Sequence, residues 1–219
     1  MERTVVIVAG GSGTRMGANC PKQFLEVNGK AILEHTMSCF YQFDRNMEMI
    51  IVLPKDQIDI WSQYCKENKL EIPHMVIHGG ESRFHSVKNG LSMVKKRGVV
   101  AIHDGVRPCV SQLTLHRCFD EATTNGAVVP VVALVDSIRQ LKGDKSTAVD
   151  RSQYALVQTP QTFQWDIISN AYKQNFDPLF TDDASVVEKL GVEMVLVEGN
   201  RENIKVTTPA DLKWIVPFL

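Results

Sequence analysis

Residues 8–24 read VAGGSGTRMGANCPKQF. The apolar run TVVIVA (4–9) stops at Gly10, Gly11 and Gly13, and Arg15, Gly17 and Pro21-Lys22 follow. A strand that ends in glycines is the usual frame of a phosphate-binding loop, because backbone N–H groups can close on an anion where no Cβ intervenes. Three such loops differ in spacing. GxxxxGK[ST] finds no register here, and GxGxxG counted from Gly11 meets Met16 where its third glycine must stand. The remaining form is a loop whose amides, from Ala9 and Gly10 through Gly11, Ser12 and Gly13, wrap a nucleoside triphosphate while cations enter from its far end. Arg15 offers a planar fork for two oxygens and Lys22 a mobile point charge. A tight turn with two solvated basic residues is the plainer reading of the same letters.

Outward from this loop the pattern alternates. EMIIVL (48–53), HMVIH (74–78), GVVAIH (98–103) and GAVVPVVAL (126–134) join TVVIVA as short β-branched runs of the kind buried in parallel sheets. Between them, Leu33, Met37 and Phe40 share one helical face. So do Ile58, Trp61 and Tyr64 or Cys65, and so do Phe84, Val87, Leu91 and Val94. Ser111 reads as the N-cap of a helix to about residue 123. The alternation predicts an α/β fold: a Rossmann-like, mostly parallel, doubly wound sheet with ligands at the carboxyl ends of its strands. The rhythm breaks at DSIRQLKGDKSTAVDR (136–151), two polar strands around Lys-Gly-Asp-Lys. With too few apolar residues for the core, this segment predicts a protruding β-hairpin arm at about 135–152. Such a hairpin needs something to rest on, most simply a second subunit. Helices over 164–175 and 182–190 follow, the second capped by Thr181 or Asp182, then the strand EMVLVE. Thr208-Pro209-Ala210-Asp211 opens a last helix. No linker or repeat divides residues 1–219, so one domain carrying an arm is expected.

Composition narrows the class. Lys plus Arg (24) nearly balance Asp plus Glu (25), so no global charge favours nucleic acid or a membrane surface, and any anion site must be local. The apolar runs are of strand length and the N-terminus lacks a signal-peptide pattern, which predicts a cytoplasmic protein. Five cysteines at 20, 39, 65, 109 and 118 form no CxxC pair, against both a disulfide framework and a zinc site.

The segments AGGSGTRMG…PKQF, ILEHT, GGESRFHSV, HDGVRP, VDR, TPQTF, TDDAS and NIKVTTPADL, in this order, resemble the cytidylyltransferases that act on polyol phosphates. The resemblance covers almost the whole chain. It implies a homodimeric, Mg2+-dependent enzyme binding CTP and a polyol phosphate, with Arg15 and Lys22 catalytic at the α-phosphate. It implies that Gly80 and Ser86 read the pyrimidine edge. Asp104, with Gly105, closes a strand in HDGVRP and faces the ribose, the water shell of the metal or an acceptor hydroxyl. Arg107 suits the acceptor phosphate. Ser137 (where the family commonly has threonine), Arg151, Thr159, Thr181 and Lys205 match acceptor-side positions, Arg151 reaching in from the neighbouring subunit. Read without the family, Arg151 and Lys205 are solvated strand residues. Gly105 stands where the family often has alanine, an exchange expected to be harmless. Arg83 carries no assigned role, and His103 reads as a structural strand-end histidine. The Asp-Arg pair of AVDRSQYALVQTPQTF and the Thr-Asp start of TDDAS favour the branch whose acceptor is methylerythritol phosphate, on the non-mevalonate isoprenoid route, over the ribitol 5-phosphate branch. A nucleotide-binding module without turnover is the rival of another class. The presence of Arg15, Lys22, Arg151 and Lys205 together speaks against it.

Overall fold

The computed structural model describes residues 1–10 and 20–219. Gly11, Ser12, Gly13 and Arg15 therefore lie outside the described residues. The chain begins with β1 (Arg3–Val8), and a small antiparallel pair, β2 (Glu26–Val27) and β3 (Lys30–Ala31), leads into α1 (Ile32–Phe43). There follow β4 (Glu48–Leu53), α2 (Ile58–Glu67), β5 (Met75–His78), α3 (Arg83–Ser92), β6 (Val99–Asp104), α4 (Gln112–Asn125) and β7 (Ala127–Ala133). The second half holds β8 (Arg139–Lys142), β9 (Lys145–Ala148), β10 (Ala155–Val157), β11 (Gln161–Gln164), α5 (Trp165–Ala171), α6 (Asp183–Glu188), β12 (Val195–Glu198) and α7 (Pro209–Ile215).

The central sheet runs β5–β4–β1–β6–β11–β7, with β10 and β12 also paired to β7. β1 is parallel to both β4 and β6, and β4 to β5, so these four strands deliver their carboxyl ends to one edge. Alternation within each strand feeds two cores. Val5 and Ile7, Met49 and Ile51, and Val99 and Ala101 join Met37 and Phe40 of α1, Trp61 of α2 and Phe119 of α4. Val6, Ile50, Val52, Val100 and Ile102 join Phe84, Val87 and Leu91 of α3 and Ile168 of α5. A strand buried on both faces has no polar face to show, which is why these runs were continuous in the sequence. Truncating a fully buried ring such as Phe40 to alanine is expected to cost about 3–5 kcal/mol. A third cluster, with Val27, Ile32, Val106, Val206 and Ile215, fixes the last helix against the β2–β3 pair.

The sheet is mostly parallel, as expected, and two details differ from expectation. β11, a strand the sequence did not disclose, enters between β6 and β7 antiparallel to both. α5 and α6 are shorter than the segments 164–175 and 182–190. Of the two cap candidates read from the sequence, Asp182 caps α6, in a reciprocal box with Ser185. The arm forms as read: β8 and β9 pair only with each other among the described residues, and every residue in both strands is exposed. Among the described residues no helix is long and apolar enough to cross a membrane.

Candidate active site

The carboxyl ends of β1 and β6 and the turn after β5 open on a cleft of about 370 Å³. The strands are pinned where their loops depart: Ala9 N–H donates to Val52 O (2.9 Å), Gly79 N–H to Leu53 O (2.8 Å) and Gly105 N–H to Val8 O (2.9 Å). Gly105 is a point of close approach. A methyl added there would stand 2.7 Å from the Ala9 Cβ, so alanine requires the two strand ends to part, contrary to the expected harmless exchange. Ala9 and Gly10 reach the cleft from β1, as do Lys22 and Gln23 from the 3-10 turn Lys22–Phe24.

On the neighbouring side β5 turns into α3 through Gly79 and Gly80. The helix cap is Ser82, whose Oγ accepts from His85 N–H. Ser86 instead folds the turn: its Oγ accepts from Gly80 N–H (3.1 Å) and donates to Ser82 O (2.9 Å). A Cβ on Gly79 would lie 2.8 Å from that Oγ, and one on Gly80 would run into the His85 side chain. Glycine is needed at both positions for the loop to close this tightly.

Asp104, at the end of β6, is the charged centre of the cleft. Lys205 Nζ lies 3.1 Å and Arg107 Nε 3.2 Å from its Oδ2, and Arg83 Nε lies 3.8 Å from its Oδ1. Burial pushes this carboxyl upward, yet Arg83, Lys205 and Arg107 outweigh it and hold the group well below the usual carboxylate range. It is ionised at neutral pH. Arg83 is itself held by a fully buried acid: its two terminal nitrogens donate to Asp183 Oδ1 (2.9 Å) and Oδ2 (2.6 Å). The hydroxyl of Tyr172 also donates to Asp183 Oδ1, at 2.6 Å.

Behind Asp104 runs a chain with a defined direction. Asp104 N–H donates to Thr159 Oγ1 (3.1 Å), and Thr159 Oγ1 lies 3.0 Å from His103 Nδ1. His103 Nε2 faces Arg107 O at 3.1 Å. A carbonyl can only accept, so Nε2 carries the proton and Nδ1 accepts from the threonine hydroxyl. Burial lowers His103 to about 4, which keeps the ring neutral. The structural reading of this histidine agrees with its position.

The other sequence-predicted residues fall in three places. Lys22, Gly80, Ser86, Asp104 and Lys205 gather at the cleft with Ala9 and Gly10. Thr159 is buried in the chain just described, and Arg107 donates to Asn203 O (2.8 Å) as well as pairing with Asp104. Ser137, Arg151 and Thr181 are exposed. Arg151 opens a 3-10 turn capped by Asp150, and its guanidinium donates to Val135 O. Sequence reasoning missed Asp183, Tyr172 and Gln23. Gln23, fully buried, donates to Ala9 O (2.9 Å) and to Gln57, fixing the start of the glycine loop. The signal for Asp183 was present in TDDAS: the first acid is the cap, which frees the second to turn inward.

Among the described residues no group of three His, Cys, Asp or Glu side chains gathers as a metal site. Asp104 is the one buried carboxylate at the cleft among them.

A family model described as "IspD: 2-C-methyl-D-erythritol 4-phosphate cytidylyltransferase" matches residues 3–216. A curated protein of that name from Bacteroides fragilis is 55% identical over 213 residues, covering 97% of each chain. One of the same name from Porphyromonas gingivalis is 46% identical over 213 residues, covering 96% of this chain and 95% of the relative. Among solved structures, the cytidylyltransferase of Thermus thermophilus aligns with a TM-score of 0.78 at 30% identity, over 99% of this chain and 98% of that one. A 4-diphosphocytidyl-2C-methyl-D-erythritol synthase from Anaerococcus prevotii gives 0.83 at 26% identity, covering 99% and 95%. With the match spanning nearly every residue and the cleft built from its segments, the chain belongs to the 2-C-methyl-D-erythritol 4-phosphate cytidylyltransferase family.

Proposed function

We propose that this protein transfers the cytidylyl group of CTP to the phosphate of 2-C-methyl-D-erythritol 4-phosphate, releasing pyrophosphate. An acceptor phosphate oxygen forms the new bond to the α-phosphorus, and the bond to the β-phosphate bridging oxygen breaks. The acceptor monoester is already an anion near neutral pH, so no enzyme nucleophile is needed. Catalysis is positioning and charge neutralisation. The observation that carries this reading is the convergence of Lys22, Asp104 and Lys205, remote in sequence, on one cleft beside Gly80 and Ser86. In this reading Gly80 and Ser86 meet the base, and Lys22 with Arg15 meets the α-phosphate. Lys205 and Arg107, with Thr181, serve the acceptor end.

Mg2+ is expected on the triphosphate. A single buried, ionised carboxylate among the described residues of the cleft fits an ion that keeps most of its water and is held by substrate phosphates, and Asp104 would be the group facing it. When bound, such an ion offsets charge on the phosphate oxygens.

The working unit in this proposal is a cytoplasmic homodimer of single-domain chains. An arm with both strands exposed, carrying exposed Leu141 and flanked by exposed Val135, Tyr154 and Leu156, is surface for a second copy. Arg151 and Ser137 then complete the neighbour's acceptor site. Pyrophosphate release from CTP and Mg2+, assayed with methylerythritol phosphate and ribitol 5-phosphate separately, tests the assignment. Turnover only with the ribitol compound overturns the acceptor, and CTP binding without turnover on either favours the non-catalytic module.

A further inference from the structure

The Arg83–Asp183 pair joins two parts of the chain that the reaction uses separately. Arg83 is the first residue of α3, directly after the Gly79–Ser82 turn, and it lines the cleft. Asp183 is the first residue of α6, two positions beyond Thr181. The pair spans 100 residues of sequence, is bidentate, and has one partner fully buried. Its acid is also gripped from α5's end by Tyr172, which stacks on Phe84 with ring centroids 4.8 Å apart. The start of α6 is fixed a second time by Gln161 of β11: its Nε2 donates to Asp182 Oδ2 (2.7 Å), and its Oε1 accepts from Ala184 N–H (2.8 Å).

A carboxylate removed from water is costly unless its partners are geometrically complete. Asp183 meets that condition, with its oxygens taken by two Arg83 nitrogens and the Tyr172 hydroxyl. Those two terminal nitrogens are thereby committed, which leaves Arg83 Nε turned toward Asp104 at 3.8 Å. The guanidinium plane is thus set by a group outside the cleft.

We propose that Asp183, braced by Tyr172, is a positioning residue that fixes Arg83 against Asp104 and so couples the nucleotide end of the cleft to the segment carrying Thr181. This rests on the cytidylyl-transfer reading above. The brace acts through geometry and not through net charge. Removing a negative group from the cluster would strengthen binding of an anionic triphosphate if charge alone mattered, whereas loss of positioning weakens it.

The test compares Asp183→Asn, Tyr172→Phe and Arg83→Gln, and the double variant Arg83→Gln/Asp183→Asn, in full-length protein. CTP affinity is read by calorimetry without acceptor, and turnover by pyrophosphate release with methylerythritol phosphate. Folded Asp183→Asn should weaken CTP binding about tenfold and raise the KM of the acceptor as well. Tyr172→Phe should shift both in the same direction by about threefold. Asp183→Asn added to Arg83→Gln should change neither any further. Should Asp183→Asn fail to fold, Tyr172→Phe and the uncharged double variant carry the comparison. A lowered melting temperature with CTP affinity and both KM values within twofold of wild type overturns the proposal. So does tighter CTP binding, or additivity with Arg83→Gln. Failure of wild-type turnover with this acceptor would instead indict the functional assignment, and the CTP-binding arm would still judge the brace.

Discussion

The hydroxyl of Thr159 lies 3.0 Å from Nδ1 of His103 and accepts the amide hydrogen of Asp104 at 3.1 Å, so one side chain ties the histidine, whose tautomer the Arg107 carbonyl sets, to the end of β6. The Asp104 carboxylate is aimed by this hidden chain as much as by the cations around it.

His103 makes acid stability predictable. Its folded value, about 4, lies below the ordinary histidine value because burial penalises the charged ring. Between about 6.5 and 4 the unfolded chain binds a proton that the folded one refuses. Stability therefore falls as pH drops through that window, by on the order of 3 kcal/mol from this group, and not further below it. Asp104 is shifted downward as well, here by the cations around it, and so adds to the same slope: its contribution, present at neutral pH, is lost as pH falls below about 4. Urea denaturation at pH 7 and pH 5 checks the first window. NMR titration should find the His103 ring neutral at pH 5.

Thr159→Val should destabilise by about 1–3 kcal/mol, because it strands the Asp104 N–H and the His103 Nδ1 together. Thr159→Ser should restore most of the loss. If Thr159 touched the acceptor directly, the valine variant would raise the acceptor KM at unchanged stability, and chemical denaturation beside steady-state kinetics separates the two outcomes.

Lys205→Met removes a cation 3.1 Å from Asp104 while leaving Arg83 and Arg107 in place. We expect kcat/KM to fall by about a hundredfold, the scale of losing one preorganised charge from a phosphoryl-transfer site. Circular dichroism should be unchanged. Activity within a few-fold of wild type would remove Lys205 from the reaction.

Arg15→Ala and Lys22→Ala should each lower kcat by orders of magnitude with little change in CTP affinity, since their contacts strengthen as charge builds at the α-phosphorus. Arg151→Ala should chiefly raise the acceptor KM. Mixing Arg15→Ala with Arg151→Ala protein should recover activity through hybrid dimers, because one of the two composite sites is then intact. No recovery, with dimers present by sedimentation, would place Arg151 in its own subunit's site.

What the sequence disclosed follows burial. β1, β4 and β6 are covered on both faces, and their apolar letters could be read only one way. β11 was hidden because Gln161 and Thr162 are buried yet polar, serving the start of α6 and the sheet, so QTFQ lacks a strand's signature. Lys22 and Asp104 were found because a glycine loop and a strand end flag them, whereas Lys205 was read only through the resemblance. Asp183 was not, since an acid next to a capping acid looks like one more solvated charge. Thr159 was read by resemblance as an acceptor contact, and only the fold reveals the histidine behind it.

The distribution of sulfur across the fold has a practical consequence. Cys39, Cys65, Cys109 and Cys118 are all raised, chiefly by burial, to about 11 or 12. At neutral pH they hold almost no thiolate and resist alkylation. Cys20 is raised too, by partial burial and by Glu26, but it alone is exposed, and it stands at the downstream rim of the glycine loop, two residues before Lys22. A maleimide fluorophore would therefore settle on one native atom, giving an optical reporter of nucleotide arrival without any engineered attachment point.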